Sequence, residues 1–184
     1  TATFKADGAV YGDVKSYAQG EAIVAPADPS KTGYTFTGWN PTVGTMGTEN
    51  VEFNAQFNAK NYTVSYYANK GDASAHATLT ATFDQKYPTP TAPKKLGHNF
   101  AGWVDANGAP MPEKHTVDSN VEYYGSWTAG TFDAIFMVDG EVYETVPTVF
   151  GQPIDAPADP TKTGYTFDGW NPEVGNMTDA GMTF

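Results

Sequence analysis

The side chains that most often carry chemistry are few in this sequence and poorly placed for it. The three histidines, His76, His98 and His115, lie far apart, with no His-Glu-x-x-His pair and no metal-ligand spacing among them. Cysteine is absent, which removes thiolate ligands, a Cys nucleophile and any disulfide. No Gly-x-Ser-x-Gly elbow, phosphate loop or dinucleotide-binding glycine motif occurs. Asp28 and Asp159 occupy matching places in a proline-rich bend, where turn and capping hydrogen bonds are the ordinary use of Asp. Their counterpart elsewhere is Ala92, so no carboxylate role recurs. Asp105-Ala106-Asn107-Gly108 opens like a calcium loop, but the glycine comes too early and no Glu stands at the twelfth position. Asn107-Gly108 fits a tight hairpin turn instead. Lys31 and Lys162 recur just before the glycine of the bend, where a lysine can shield backbone carbonyls. A Lys-Asn isopeptide crosslink would need a buried Lys, Asn and acid together, and no such triple is marked. Two glycosylation sequons, at Asn61-Tyr62-Thr63 and Asn176-Met177-Thr178, are short patterns with a high chance rate. No residue is therefore assigned a catalytic, cofactor-binding or metal-ligating role. The chain reads as a protein that is not an enzyme and needs no cofactor.

The apolar residues show what such a chain builds instead. Hydrophobic residues make up 40% of the sequence and aromatic residues 14%, enough for packed cores. Only Leu79 and Leu96 represent leucine, against 11 Tyr, 11 Phe and many Val and Thr. Aromatic and β-branched side chains suit a pleated, half-buried surface, whereas Leu and Ala drive helices. The 19 glycines and 13 prolines supply the turns that short strands need. A net charge of −11, with lysine as the sole strong cation, excludes clustered basic contacts to phosphate, so nucleic acid and anionic membranes are poor partners. The acidity serves solubility, or weak cation binding. No apolar run is long enough to span a bilayer. The sequence starts without Met or a signal peptide and reads as an excerpt of a longer protein.

Internal repetition fixes the architecture. Residues 25–41 read APADPSKTGYTFTGWNP and residues 156–172 read APADPTKTGYTFDGWNP. Between them lies a diverged copy, TAPKKLGHNFAGW, at 91–103. Three copies align on Gly33, Gly97 and Gly164, on Phe36, Phe100 and Phe167, and on the Gly-Trp pairs ending at Trp39, Trp103 and Trp170. Each opens with an alternating stretch around Phe4, Tyr66 or Phe136, the period of a strand with one buried face. Asp7-Gly8 and Asp139-Gly140 mark hairpin turns. The proline-rich bend leaves room for a helical turn ending at Gly33. Val51–Phe57 and Val121–Trp127 are closing strands, and the third copy stops at Phe184, partway through its own. The copies are 1–60, 61–129 and 130–184, the last C-terminally incomplete. Their linkers, 58–61 and 128–131, are too short for free tumbling, so a stiff, extended rod with nearest-neighbour contacts is expected.

The pattern x-Pro-x-x-Pro-[Ser/Thr]-Lys-x-Gly-Tyr-Thr-Phe-x-Gly-Trp between alternating strands resembles the Listeria-Bacteroides repeat, the B-repeat of internalin-type surface proteins. In the middle copy Leu96, His98 and Asn99 depart from it. The resemblance implies a mostly β, grasp-like fold with minimal helix, export, and life as a tandem module of a bacterial cell-surface or secreted protein.

Trp39, Trp103 and Trp170 are read as core residues, because a domain this small leans on large aromatics; stacking on sugars is the alternative. The glycine before each Trp is expected to allow close approach of a neighbouring strand. Tyr34 and Tyr165 are expected to be half-buried, and Tyr67 and Tyr124 to form an exposed patch if any does. Three functions fit: a stalk, spacer or adhesin segment whose partners are neighbouring domains; direct recognition of a host protein or glycan; or an accessory module of a large secreted enzyme.

Overall fold

The computed structural model describes residues 1–178 and 180–184. Eleven strands and no helix occur among them: β1 (Ala2–Ala6), β2 (Ala9–Val10), β3 (Tyr34–Asn40), β4 (Val51–Ala59), β5 (Asn61–Tyr67), β6 (Ala77–Thr82), β7 (His98–Val104), β8 (Val121–Ala129), β9 (Thr131–Val138), β10 (Glu141–Val149) and β11 (Met182–Thr183). They form three sheets in sequence, ordered β2-β1-β4-β3, β6-β5-β8-β7 and β10-β9-β11. The mostly β reading holds, without the expected helical turn in the bend. Each X-Pro step there drives the preceding residue, Ala25 or Asp28, towards extended backbone, and each proline removes a donor. Among the described residues no helix packs on the sheets.

Two compact units divide the chain without following the repeats: residues 1–64, 78–89 and 112–121 form one, and residues 65–77, 90–111 and 122–184 the other.

In the first unit, β1 and β2 form the hairpin expected at Asp7-Gly8, whose φ angles are 49° and 82°. The strand then leaves and returns so that β4 lies parallel to β1, pairing Phe4 with Phe53. Their rings stack 4.7 Å apart. Alternation puts Ala2, Phe4 and Phe53 on one face, where Ile23 and Met46 from the long connections complete a buried cluster. Trp39 covers that cluster, its ring 4.7 Å from Phe4 in an edge contact.

A bulge explains the Gly-Trp motif. In the β3–β4 pairing the register steps between Phe36 and Gly38, leaving Thr37 as the extra residue. One extra residue restores the same face to side chains three apart, and Phe36 and Trp39 accordingly meet at 5.4 Å. Gly38 sits at φ 134°, and nothing lies within 4 Å of where its Cβ would be. The glycine is thus required by backbone conformation, correcting the expectation of a close-approaching strand. Gly102, at φ 132°, repeats the bulge between β7 and β8.

The second unit ends with the same design. β9 and β10 join at Asp139-Gly140, at φ 51° and 83°, and β11 lies parallel to β9. Ala134, Phe136, Ile154, Met177 and Phe184 form its buried cluster, covered by Trp170. Residues 165–171, the counterpart of β3, are not a strand. β3 pairs with residues 54–59, and the sequence stops at Phe184, the counterpart of Phe53.

Candidate functional site

Two places in the chain join one repeat to the next by the same device. In the first unit, the Lys60 amide donates to the Gly33 carbonyl at 2.8 Å, and the Phe83 amide donates to the Lys60 carbonyl at 2.9 Å. This short ladder lowers the Phe83 ring onto Gly33, where a Cβ would stand 2.2 Å from the ring. The Tyr34 ring meets Phe83 edge-on at 5.5 Å. In the second unit, Gly130 donates to the Gly97 carbonyl at 2.8 Å and Phe150 to the Gly130 carbonyl at 2.8 Å. The Phe150 ring covers Gly97, a built Cβ falling 2.1 Å away, and meets His98 at 5.4 Å.

Each joint is therefore an aromatic plug seated on a glycine acceptor. Gly33 and Gly97 are buried and have φ of 76° and 69°. The glycine is doubly required, by its left-handed backbone and by the ring above it. The rings are half-buried, and that burial is worth about 1 to 2 kcal/mol per plug before any aromatic pair term.

Lysine frames the acceptor. Lys31 reaches back to the hairpin, 2.6 Å from Asp7 Oδ1, and lies 4.9 Å above the Tyr34 ring. Its hydrogen bond to Asp7 raises its pKa. Lys162 repeats the arrangement, 2.8 Å from Asp139 and 4.8 Å above Tyr165. These lysines bind a turn carboxylate, not the backbone carbonyls expected from sequence. Lys95 stands at the same place in the middle copy, a match hidden by its diverged neighbours. None of the ten lysines is buried.

Beside the first joint, Lys60 lies 3.1 Å from Asp118 Oδ1, and the Tyr62 hydroxyl donates to the same carboxylate. Those bonds, Tyr62 first and then Lys60, hold Asp118 below the usual carboxylate range. Desolvation and then the Asp118 bond push the Tyr62 phenol up to about 12. His115 is buried against this corner, its ring 4.8 Å from Tyr62 and 5.2 Å from Tyr87. Its Nδ1 lies 2.8 Å from the Tyr87 hydroxyl, while Nε2 has no partner. Burial lowers its pKa. The other two histidines serve locally: His76 Nε2 is 3.0 Å from the Thr91 carbonyl, and His98 Nδ1 is 2.8 Å from that of Leu96. Among the described residues no three metal-binding side chains cluster.

The remaining sequence candidates fall into structural roles. Asp105 Oδ1 accepts from the amides of Asn107 and Ala109 at 2.8 and 2.9 Å, making the turn predicted there. Asp28 and Asp159 are exposed in the bend. Tyr67 and Tyr124 stack on each other at 5.6 Å, and Tyr124 donates to Glu122. Trp103 is buried, with the Tyr66 ring 4.9 Å away. Tyr34 is half-buried as expected, but Tyr165 is 73% exposed.

Comparison with known proteins matches this threefold design. The chain is 30% identical over 162 residues to a candidate membrane protein of Evansella cellulosilytica, covering 80% of this chain and 24% of that protein. It is 29% identical over 170 residues to Internalin H of Listeria monocytogenes, covering 81% of this chain and 30% of that protein. The chain thus spans less than a third of the length of either relative. The family model of the Listeria-Bacteroides repeat domain matches residues 1–61, 62–125 and 132–183. Three tandem matches over nearly every residue, the first two carrying the Gly-Trp bulge in their sheets, make the chain a member of the Listeria-Bacteroides repeat family.

Proposed function

We propose that the chain is a non-catalytic spacer segment of a bacterial cell-surface or secreted protein, whose repeats, 1–60, 61–129 and 130–184, hold neighbouring domains at a defined separation. The single observation that carries this reading is the recurrence of the plug and acceptor at Gly33–Phe83 and Gly97–Phe150. A module whose work lay in one binding face would have no need to build the same joint twice. The names of its relatives, an internalin and a candidate membrane protein, support placing it at the cell surface.

The test uses the absence of cysteine. Cysteines introduced at exposed Thr37 and Thr80, on either side of the first joint within one unit, then spin-labelled, should give one narrow distance distribution. In a Phe83→Gln, Phe150→Gln variant the distribution should broaden. A distribution equally broad in both chains contradicts the spacer reading. Tight binding of the chain to one glycan or host protein, undiminished in that variant, favours recognition instead.

A further inference from the structure

The third copy carries the acceptor without its plug. Gly164 has φ 79°, as Gly33 and Gly97 do, yet nothing lies within 4 Å of its Cβ position, and it is exposed where they are buried. Lys162 and Tyr165 keep the geometry of the first acceptor, the ammonium 4.8 Å above the ring. With Phe167 they line an open hollow of about 480 Å³. A left-handed glycine, an aromatic to meet a ring edge-on and a lysine pinned by Asp139 are all in place.

The occupant can be narrowed. A second copy of this chain would have to offer a free plug, but Phe83 and Phe150 are both seated. The corresponding residue of the first copy is found through the backbone. Asp84 and Gly151, which follow the plugs, donate to the carbonyls of His115 and Met177 at 2.7 and 2.8 Å. Gly20 donates to Met46 in the same way at 2.8 Å. The residue before it is Gln19, exposed and polar, so the first copy presents no plug.

We propose that Lys162, Gly164 and Tyr165 form an acceptor for the aromatic plug of a further repeat of this family, joined in the same chain direction. The inference stands on the geometry of the two filled joints and holds whether the array is a spacer or an adhesin.

The experiment extends the full chain. Residues 54–129 are appended after Phe184, which continues the sequence as it runs after Phe53 and adds a second copy of Phe83. A ring lying on a glycine displaces its α-proton resonances upfield. In the parent chain those of Gly33 and Gly97 should be displaced and those of Gly164 not. In the extended chain Gly164 should move upfield to match them, and Gln in place of the appended Phe83 should return it to the parent position. Mere completion of the strand by the appended residues would move Gly164 regardless of that substitution. An unmoved Gly164, whether or not the added residues fold, or a shift that survives the Gln substitution, overturns the proposal.

Discussion

The Phe83 ring lies so close over the Gly33 Cα that a methyl group there would stand 2.2 Å from the ring. At Gly164 the same methyl would meet nothing within 4 Å. The two positions share a backbone conformation, at φ 76° and 79°, so they separate conformational strain from steric exclusion.

Gly33→Ala should therefore cost about 2 to 4 kcal/mol, combining left-handed strain with overpacking. Gly164→Ala should cost about 1 kcal/mol, the strain alone. Thermal unfolding of both variants provides the comparison, and adding Phe83→Ala to Gly33→Ala should recover the steric part. Equal losses at both glycines would mean that Phe83 yields freely.

Trp39→Ala should destabilise the first repeat by about 3 kcal/mol, near the low end for large aromatic truncations. The residue covers the Phe4–Phe53 stack without being fully enclosed. An unchanged melting curve would place it functionally at the surface, where sugar stacking becomes the better reading.

His115 gives the middle repeat a weakness to mild acid. Burial depresses its pKa, so the unfolded chain takes up its proton first as pH falls, and stability rises with pH in this window. The loss should begin below about pH 6.5, the ordinary histidine value, and continue down to the folded pKa. His115→Met, which installs the residue found in this place at Met46 and Met177, should flatten the dependence of melting temperature between pH 7.5 and 5. A slope unaltered by that change would mean that the burial of His115 does not set it.

Tyr62 acts at the other end of the scale. Its phenol is raised to about 12, so whatever stability the raised value supplies is complete below about pH 10, the ordinary tyrosine value, and is lost as pH rises through 12. Ultraviolet titration should show a tyrosinate step near pH 12. Asp118→Asn should move that step to lower pH, though desolvation, the larger cause, remains. A step unmoved by the substitution would mean that the Asp118 bond contributes nothing.

Much of this fold is written in short-range pattern. Alternation around Phe4, Tyr66 and Phe136 marks the strands, and Asp-Gly pairs mark the two hairpins, because both depend on neighbouring residues alone. The Gly-Trp motif is visible, but its reason is not: a bulge depends on the register of β3 against β4, which no local spacing encodes. The joints are harder still. Gly33 reads as a bend residue, and the ring that makes it indispensable comes from Phe83, in the next copy. A trace is present, since Phe83-Asp84-Gln85 and Phe150-Gly151-Gln152 sit at matching places in their repeats. It is lost in the first copy, where Gln19 stands instead, so the motif is absent from one of three aligned segments. His115 is equally hidden, because its place in the core is shown by its counterparts Met46 and Met177 rather than by its own neighbours.

The parallel pairing of β1 with β4 also determines how a repeat answers to force. The chain enters through β1 and leaves through β4, and tension on the array pulls these two strands lengthwise in opposite directions. Ala2 with Val51, Thr3 with Glu52, Phe4 with Phe53 and Lys5 with Asn54 are then loaded together, in shear. They cannot separate rung by rung, as an unzipping hairpin does. The stacked Phe4 and Phe53 rings must slide past each other in the same event. Each repeat with this pairing is a latch that holds until its whole seam gives way at once.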